Sequence, residues 1–220
     1  MLLAIDSGNT NTVFAVFEGE VRRGEWRAST NQHRTADEYA VWLTQLMGLA
    51  GLQRSDVNAA IIANVVPATA FSLKTLCQRY FKCEPLVVGD ESVKLGIAVN
   101  LPNPAEVGAD RLVNAVAAHA RHPGVDKIVV DFGTATTFDV VTKDGAYSGG
   151  VIAPGPNLSL EALYMAAAKL PGIAIRRPPT VIGRATVPAM QSGVFWGYVG
   201  LVEGLVKRIG EEMGSTPKVI

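Results

Sequence analysis

The sequence predicts an α/β protein built from two related halves, and two observations support this class. Short apolar runs alternate with amphipathic stretches along the chain. In addition, the opening strand–loop–strand pattern of residues 3–16 returns 125 residues later, at 128–141. Three pairs of residues correspond in this repeat: Asp6 and Asp131, Gly8 and Gly133, Thr12 and Thr137. We therefore expect two β-hairpins with acidic loops, one in each half.

The first half is predicted to continue as alternating strands and helices. Residues 26–29 favour a third strand. Thr35 and Glu38 have the form of a capping box, so we expect a helix that begins there and ends at Gly51. The elements expected after it are a strand at 56–66, a helix that starts at Pro67 and a short strand at 85–88.

The second half is expected to start with a helix at 109–122, which crosses from one half to the other, and then the repeated hairpin. Residues 149–156 are rich in glycine and proline, which predicts a loop. Helices are expected from about 158 to 170 and from about 187 to 211. We expect an N-terminal domain at 1–108 and a C-terminal domain at 109–220.

The last predicted helix carries four glycines along one face: Gly193, Gly197, Gly200 and Gly204. Each glycine lowers helix propensity by about 1 kcal/mol, so their presence indicates the close approach of another helix. That helix would come from the same protomer or from a second one. Residues 215–220 are typical of a turn that enters a new strand, and we expect the C-terminal domain to continue beyond residue 220.

The composition argues against several classes of function. With 20 basic and 20 acidic residues the formal charge is zero, whereas nucleic acid or a membrane surface normally requires a basic surplus. The N-terminus begins directly with a predicted strand and has no secretory signal, so we expect a cytoplasmic protein without a membrane span. Cys77 and Cys83 are predicted to be reduced thiols in this compartment.

The acidic loops are the first candidates for chemistry. Asp6 and Asp131 each follow an apolar strand, where we expect a carboxylate to be desolvated enough to need a cation as its partner. The alternative is that each aspartate bonds its own turn, but their recurrence in matched loops disfavours this. Six polar residues in the two loops could donate to phosphate oxygens or be ordinary turn and strand residues: Asn9, Thr10, Thr12, Thr134, Thr136 and Thr137.

A second candidate lies at the start of the crossing helix. Asp110 and Arg111 follow a glycine there, where backbone donors and the helix dipole favour anions. An acid that takes a proton and an arginine that holds a carboxylate would be well placed, although a surface ion pair has the same pattern. Thr186 is predicted to be a plain helix cap. The chain contains neither a P-loop nor a dinucleotide fingerprint, so phosphate binding would have to use the hairpins.

Five short motifs, taken together and in this order, resemble the type III pantothenate kinase family over residues 2 to about 209. They are Asp6-Ser7-Gly8-Asn9-Thr10, Gly108-Ala109-Asp110-Arg111, Asp131-Phe132-Gly133-Thr134-Ala135-Thr136-Thr137, Gly149-Gly150 with Pro154-Gly155, and Gly183-Arg184-Ala185-Thr186. The resemblance implies the fold of the actin, sugar kinase and Hsp70 superfamily. Two ribonuclease H-like domains, each a mixed β-sheet flanked by helices, would then hold a nucleotide in the cleft between them.

The resemblance also implies an activity, the transfer of the γ-phosphoryl group of ATP to the primary hydroxyl of pantothenate. The product, 4'-phosphopantothenate, is that of the first step of coenzyme A biosynthesis. Asp110 would be the general base, and pantothenate would be bound by Gly108, Ala109, Asp110, Arg111 and Thr186. ATP would be bound by Asp6, Ser7, Gly8, Asn9, Thr10, Asn11, Thr12, Val13 and Thr134.

Metal ions and a partner follow from the same resemblance. Asp6 would position Mg²⁺ through the ATP phosphates, and Asp131 would hold the K⁺ or NH₄⁺ ion that such enzymes need. Family members are homodimers, which would supply a second protomer for the glycine-bearing helix. Neither nucleic acid nor a membrane is expected as a partner.

One position departs from the family's pattern. Members commonly carry a tyrosine two residues before the Asn-Pro or Asp-Pro that precedes the Gly-x-Asp-Arg motif, whereas this chain has Leu101. Substrate identity is therefore left open, and a kinase of another small alcohol or carboxylate is an alternative. A nucleotide-binding regulator without catalytic activity is a second one, which the presence of both Asp110 and Arg111 disfavours.

Overall fold

The computed structural model describes residues 1–166 and 171–220. Two compact units emerge from the contacts within the chain. Unit 1 comprises Met1–Ile97 and Pro102–Val116, and unit 2 comprises Ala98–Leu101 and Ala117–Ile220. The units are groups of residues in mutual contact, so the domain boundary expected after residue 108 stays a prediction.

Unit 1 contains a five-stranded mixed sheet in the order β3-β2-β1-β4-β5. Strands β1, β2 and β3 form an antiparallel meander, whereas β4 and β5 extend the sheet in parallel from β1. The third strand is longer than predicted, and the fourth is shorter because residues 54–56 form a 3₁₀ turn before it. The strands span Leu2–Ser7, Asn11–Glu18, Val21–Ser29, Ala59–Asn64 and Pro85–Val87.

Two helices flank this sheet. Helix α1 spans Ala36–Leu49, and its predicted capping box is confirmed because Thr35 and Glu38 each accept from the other's backbone N–H. Helix α2 spans Ala70–Thr75 and continues as a π-helical turn, Leu76–Tyr80. The core between the helices and the sheet is built largely from fully buried side chains, among them Leu3, Phe14, Tyr39, Leu43, Met47, Leu73 and Leu76.

Unit 2 contains a four-stranded mixed sheet in the order β8-β7-β6-β9. The loop expected at residues 149–156 is wrong, since most of this segment forms strand β8, Tyr147–Pro154. Because β8 is at the edge of this sheet, Pro154 can end the strand at little cost, since a residue without an N–H is tolerated there. The other strands are β6 at Lys127–Phe132, β7 at Ala135–Val141 and β9 at Lys218–Val219.

Three further helices complete the chain. Helix α3 spans Ala109–Arg121, α4 spans Pro156–Ala166 and α5 spans Thr186–Met213. The end expected for α4, at residue 170, lies outside the described residues. Each unit thus has a mixed sheet with helices, which confirms the predicted α/β class. Within the described ranges, no helix is long and apolar enough to cross a membrane.

The glycine face of α5 has no close neighbour within the described part of this protomer. A Cβ atom added at Gly193, Gly197 or Gly200 would meet nothing within 4 Å. At Gly204 it would meet only Arg208 of the same helix, at 3.1 Å. Of the two sources considered for the approaching helix, the same protomer supplies none among the described residues, and this face of α5 is open in that part of the chain.

The repeated hairpins are confirmed, but the second is one residue shorter than the first. In β1–β2, four residues lie between the paired Ser7 and Thr12, whereas in β6–β7, three residues lie between the paired Phe132 and Thr136. Thr12 therefore corresponds to Thr136 and not to Thr137. Both side chains are fully buried. A loop length changes the pairing register, which an alignment of the sequence with itself cannot detect.

Candidate active site

In unit 1, Asp6 lies at the C-terminal end of β1, a central strand of the sheet. Asp6 is the last residue but one of β1 and pairs with Val13. Its side chain is exposed, so the expected desolvation of this carboxylate is wrong. The backbone N–H of Gly8 donates to the carbonyl of Asn11 at 3.0 Å and closes the loop. Asn9 and Thr10 are exposed at its tip, with amide and hydroxyl groups that suit phosphate oxygens.

Beneath this loop lies a cluster of buried hydroxyl groups. The Ser7 hydroxyl lies 3.4 Å from that of Thr12 and 3.2 Å from that of Thr69. The Thr12 hydroxyl also lies 3.0 Å from that of Thr30. Ser7 and Thr12 are fully buried, so their side chains support the loop from below and do not face solvent.

Thr30 fixes the tip of the loop, a role that the sequence did not suggest. Its hydroxyl donates to the Gly8 carbonyl at 2.6 Å, and its backbone N–H donates to the Thr10 carbonyl at 2.9 Å. The only signal in the sequence is that Thr30 directly follows the third strand. The tip is thereby held by hydrogen bonds from a neighbouring strand end, which limits how far its backbone can move.

The Gly108–Arg111 motif lies near this loop, within unit 1. Val65 connects the two: its backbone N–H donates to the Ser7 carbonyl at 3.0 Å, and its Cγ1 lies 3.5 Å from where a Cβ on Gly108 would be. That Cβ would also come within 2.6 Å of the Asp110 carboxylate, so Gly108 leaves room for Asp110 to turn back over the helix start. The sequence-predicted Asp6 and Asp110 sites are thus brought together in one unit.

Asp110 lies in the first turn of α3 and is half-buried. Its Oδ1 accepts a hydrogen bond from the backbone N–H of Arg111 at 2.8 Å, while the Gly108 carbonyl accepts from Leu112 and starts the helix. This geometry uses one free donor of the helix start and places the negative charge at the positive end of the dipole. One carboxylate oxygen, Oδ1, is thereby held at the helix start.

In unit 2, Asp131 stands at the matching edge, near the end of β6, and is likewise exposed, so the expected desolvation is wrong here too. The Gly133 N–H donates to the Ala135 carbonyl at 2.9 Å, and Thr134 is exposed in the tight turn. Gly155 packs against this turn. Its N–H donates to the Thr134 carbonyl at 2.8 Å, and a Cβ there would lie 2.2 Å from the Gly133 carbonyl oxygen.

Thr186 is not the cap predicted from the sequence. The N-cap of α5 is Ala185, and Thr186 is the first helical residue, with no side-chain capping bond. Its side chain is exposed and lines an open apolar groove of about 700 Å³ between α4 and α5. Other residues of this groove are Pro154, Ser159, Gly193, Gly197 and Tyr198.

In each unit, the residues at the end of the first hairpin strand have the chemistry that suits phosphate or a metal ion. Exposed carboxylates are the oxygen ligands that Mg²⁺ prefers, and exposed amide and hydroxyl groups suit phosphate. Across residues 1–166 and 171–220, no group of three or more His, Cys, Asp or Glu side chains could hold a metal ion.

Comparison with known proteins identifies the family. A family model described as type III pantothenate kinase matches residues 2–208. The type III pantothenate kinase of Paramagnetospirillum magneticum is 72% identical over 220 residues, which are all of this chain and 84% of that protein. That of Rhodospirillum rubrum is 66% identical over 220 residues, again all of this chain and 85% of the relative.

A solved structure from Campylobacter jejuni, described as a Baf family transcriptional activator, shares the fold. Its TM-score is 0.55 at 18% identity, over 92% of this chain and 78% of that one. At this identity the likeness concerns the fold alone. The family model and the relatives, in contrast, cover the sequence motifs that build both sheet edges. This chain belongs to the type III pantothenate kinase family.

Proposed function

We propose that this protein phosphorylates the primary hydroxyl of pantothenate with ATP and that Asp110 is the general base. The activity follows from the family, which relatives at up to 72% identity share over the full chain. The role of Asp110 rests on one observation: its half-buried carboxylate is fixed at the start of α3, with Val65 joining Gly108 to the Asp6 loop. Acceptor and phosphate donor would then bind to neighbouring parts of one unit.

Each residue has a definite part in this proposal. Oδ2 of Asp110 would accept the hydroxyl proton as the acceptor oxygen bonds to the γ-phosphorus of ATP and the bond from that phosphorus to the ADP oxygen breaks, releasing ADP. Arg111 would pair with the pantothenate carboxylate. Gly108, Ala109 and Thr186 complete the pantothenate site. Asp6 would help to hold Mg²⁺ on the ATP phosphates, where the ion would supply positive charge to the transferred phosphoryl group. Phosphoryl transfer depends mainly on positioning and charge neutralisation, and a loop braced by buried hydroxyls provides a rigid support for both.

ATP would be held by Asp6 and the residues through Val13, and by Thr134. Ser7 and Thr12 contribute backbone groups to this site, because their side chains are buried. Asn9 and Thr10 contribute exposed side chains as well. Asp131 would hold K⁺ or NH₄⁺.

The proposal includes a homodimer in the cytoplasm. The open glycine face of α5 and the apolar groove beside it support a second protomer at this surface, since an exposed apolar groove of this kind marks an interaction site. Size-exclusion chromatography with light scattering tests the dimer. Gly197→Leu would fill the open face and should shift the protein to the monomer.

A coupled assay of ADP formation with ATP, Mg²⁺, pantothenate and K⁺ tests the function. Asp110→Asn should lower kcat by about 10²–10⁴-fold, because the amide cannot accept the proton. Asp144→Asn is the matched control, since Asp144 is an exposed acid in the turn at the far end of the second hairpin. ADP formation that is independent of pantothenate, or an unimpaired Asp110→Asn variant, would refute the proposal.

The residue at position 101 is a reason to test a second candidate function, a kinase of another small alcohol or carboxylate. Leu101 stands where the family commonly has a tyrosine, and its Cδ2 lies 3.4 Å from where a Cβ on Gly149 would be. The same assay with a panel of hydroxy acids in place of pantothenate compares the acceptors. A kcat/KM for another acceptor that exceeds the value for pantothenate would favour this candidate.

A further inference from the structure

A buried acid that was not predicted as a site residue lies on β7, the strand that pairs with the strand of Asp131. Asp139 is in the middle of β7 and is fully buried. Its Oδ1 accepts a hydrogen bond from the hydroxyl of Tyr147 at 2.9 Å, and its Oδ2 accepts one from the hydroxyl of Thr137 at 3.2 Å. Burying a carboxylate costs free energy unless it is hydrogen-bonded, so these bonds hold the acid in one orientation.

The hydrogen bond from Thr137 to Asp139 also fixes which groups the Thr137 hydroxyl presents to Asp131. Thr137 pairs with Asp131 across β6 and β7, so the two side chains are on the same face, with Cβ atoms about 5 Å apart. Because the Thr137 hydroxyl gives its proton to Asp139, its oxygen lone pairs are the groups left beside Asp131. A carboxylate and a neutral oxygen with lone pairs form a pair of ligands for a hard cation.

Tyr147 is fixed by its backbone as well as by its hydroxyl. Its N–H donates to the Ala98 carbonyl and its own carbonyl accepts from the Asn100 N–H, both at 2.8 Å. The ring is fully buried. The segment at 98–101 and strand β7 therefore hold Tyr147 from two sides. Its hydroxyl reaches Asp139 without a loss of side-chain freedom on cation binding.

We propose that Asp139 and Tyr147 are positioning residues for the cation at Asp131, and that they act by orienting the Thr137 hydroxyl oxygen toward it. The inference rests on the proposed function in one respect, the assignment of a monovalent cation to Asp131. Neither Asp139 nor Tyr147 contacts ATP or pantothenate in this scheme. Their effect is on the concentration of K⁺ that the enzyme needs, and not on the chemical step.

Two variants and one rescue test this network. Tyr147→Phe removes one bond to Asp139, and Thr137→Val removes the hydroxyl oxygen itself. Each should raise the K⁺ concentration for half-maximal activity by about 10-fold or more, the usual effect of losing a group that orients a metal ligand. For Tyr147→Phe, the kcat at saturating K⁺ should stay within a factor of about two. Thr137→Ser keeps the hydroxyl oxygen and should have the wild-type K⁺ requirement.

A second readout needs no activity. The Tm of wild type should rise as KCl replaces choline chloride at constant ionic strength, with neither ATP nor pantothenate present, and Tyr147→Phe and Thr137→Val should require about 10-fold more KCl for the same rise. Tyr80→Phe is the matched control, because its hydroxyl also donates to an aspartate, Asp37, but in unit 1. Its KCl dependence should equal that of wild type.

The outcomes separate this inference from the proposed function. An unchanged KCl dependence in both variants would overturn the network, whatever the activity. A wild type that forms no ADP with pantothenate would refute the proposed function, while its KCl-dependent Tm would still report on the network. If Tyr147→Phe does not fold, the comparison of Thr137→Val with Thr137→Ser decides, and equal K⁺ requirements in these two would overturn the inference.

Discussion

The contact of Gly155 with the 133–134 turn predicts that one methyl group there damages both stability and ATP binding. In Gly155→Ala, the Cβ would lie 2.2 Å from the Gly133 carbonyl oxygen, 2.6 Å from the Thr134 carbonyl oxygen and 2.9 Å from its carbon. All three are backbone atoms, which cannot rotate away as a flexible side chain would. The start of α4 must therefore move away from the turn.

The magnitude follows from two contributions. Overpacking of this kind costs about 1–3 kcal/mol, and the hydrogen bond from Gly155 to the Thr134 carbonyl, now 2.8 Å long, contributes about 1 kcal/mol more when it is lost. For a chain of this size each kcal/mol corresponds to about 2–4 °C, so Tm should fall by about 4–16 °C. Because Thr134 shifts with the turn, the KM for ATP should also rise.

Differential scanning calorimetry and initial-rate kinetics measure these effects. Gly172→Ala is the control, because a Cβ at Gly172 would meet nothing within 4 Å among residues 1–166 and 171–220. It should change the free energy of unfolding by less than about 0.5 kcal/mol. A Gly155→Ala variant with the Tm and the KM for ATP of wild type would show that the turn and α4 do not have this close contact in solution.

Three further predictions concern buried polar groups. Thr136→Val should raise the free energy of unfolding by about 1 kcal/mol, because the buried Thr136 hydroxyl has no partner in the described part of the chain. Thr12→Val should lower it by about as much, because the Thr12 hydroxyl is hydrogen-bonded. Urea denaturation measures both changes, and two changes of the same sign would contradict this prediction. Lys127→Met should lower it by about 2 kcal/mol, because the buried ammonium donates to three backbone carbonyls. Burial lowers the pKa of Lys127, so the unfolded chain binds the Lys127 proton more tightly than the folded protein does. The stability of wild type relative to Lys127→Met should therefore increase as pH rises from the lowered pKa to the ordinary value of about 10.4. A difference in stability that does not change with pH would exclude this prediction. Burial raises the pKa of Cys77 to about 12 and also raises that of Cys83, so iodoacetamide at about pH 8 should label both thiols more slowly in the folded protein than in urea, and equal rates would refute this.

Much of the candidate site could be predicted because its residues are close in sequence. A strand, a short polar loop and a second strand form one hairpin, so Asp6 and Asp131 had to lie at strand ends. The capping box at Thr35 and the start of α3 at Ala109 depend on residues three or four apart, which the sequence displays directly. The residues within each family motif are likewise close together in the sequence.

What the sequence could not indicate depends on residues far apart. The exposure of Asp6 and the burial of Thr12 follow from packing against other strands and helices, as do the bonds from Thr30 to the loop tip. No local pattern marked Tyr147, which meets Asp139 only because β7 and β8 pair with a register shift between Asp139 and Val141. Such contacts exist only once the strands have paired.

The sequence by itself thus determined the α/β class, the repeated acidic hairpins, the capping box and the family, because each depends on short-range patterns or motif order. Only the tertiary structure decided that Thr12 matches Thr136, that residues 147–154 form an edge strand and that the face of α5 is open within the described chain. The physical reason is that register, edge position and burial are set by which strands and helices meet, and side-chain roles follow from that.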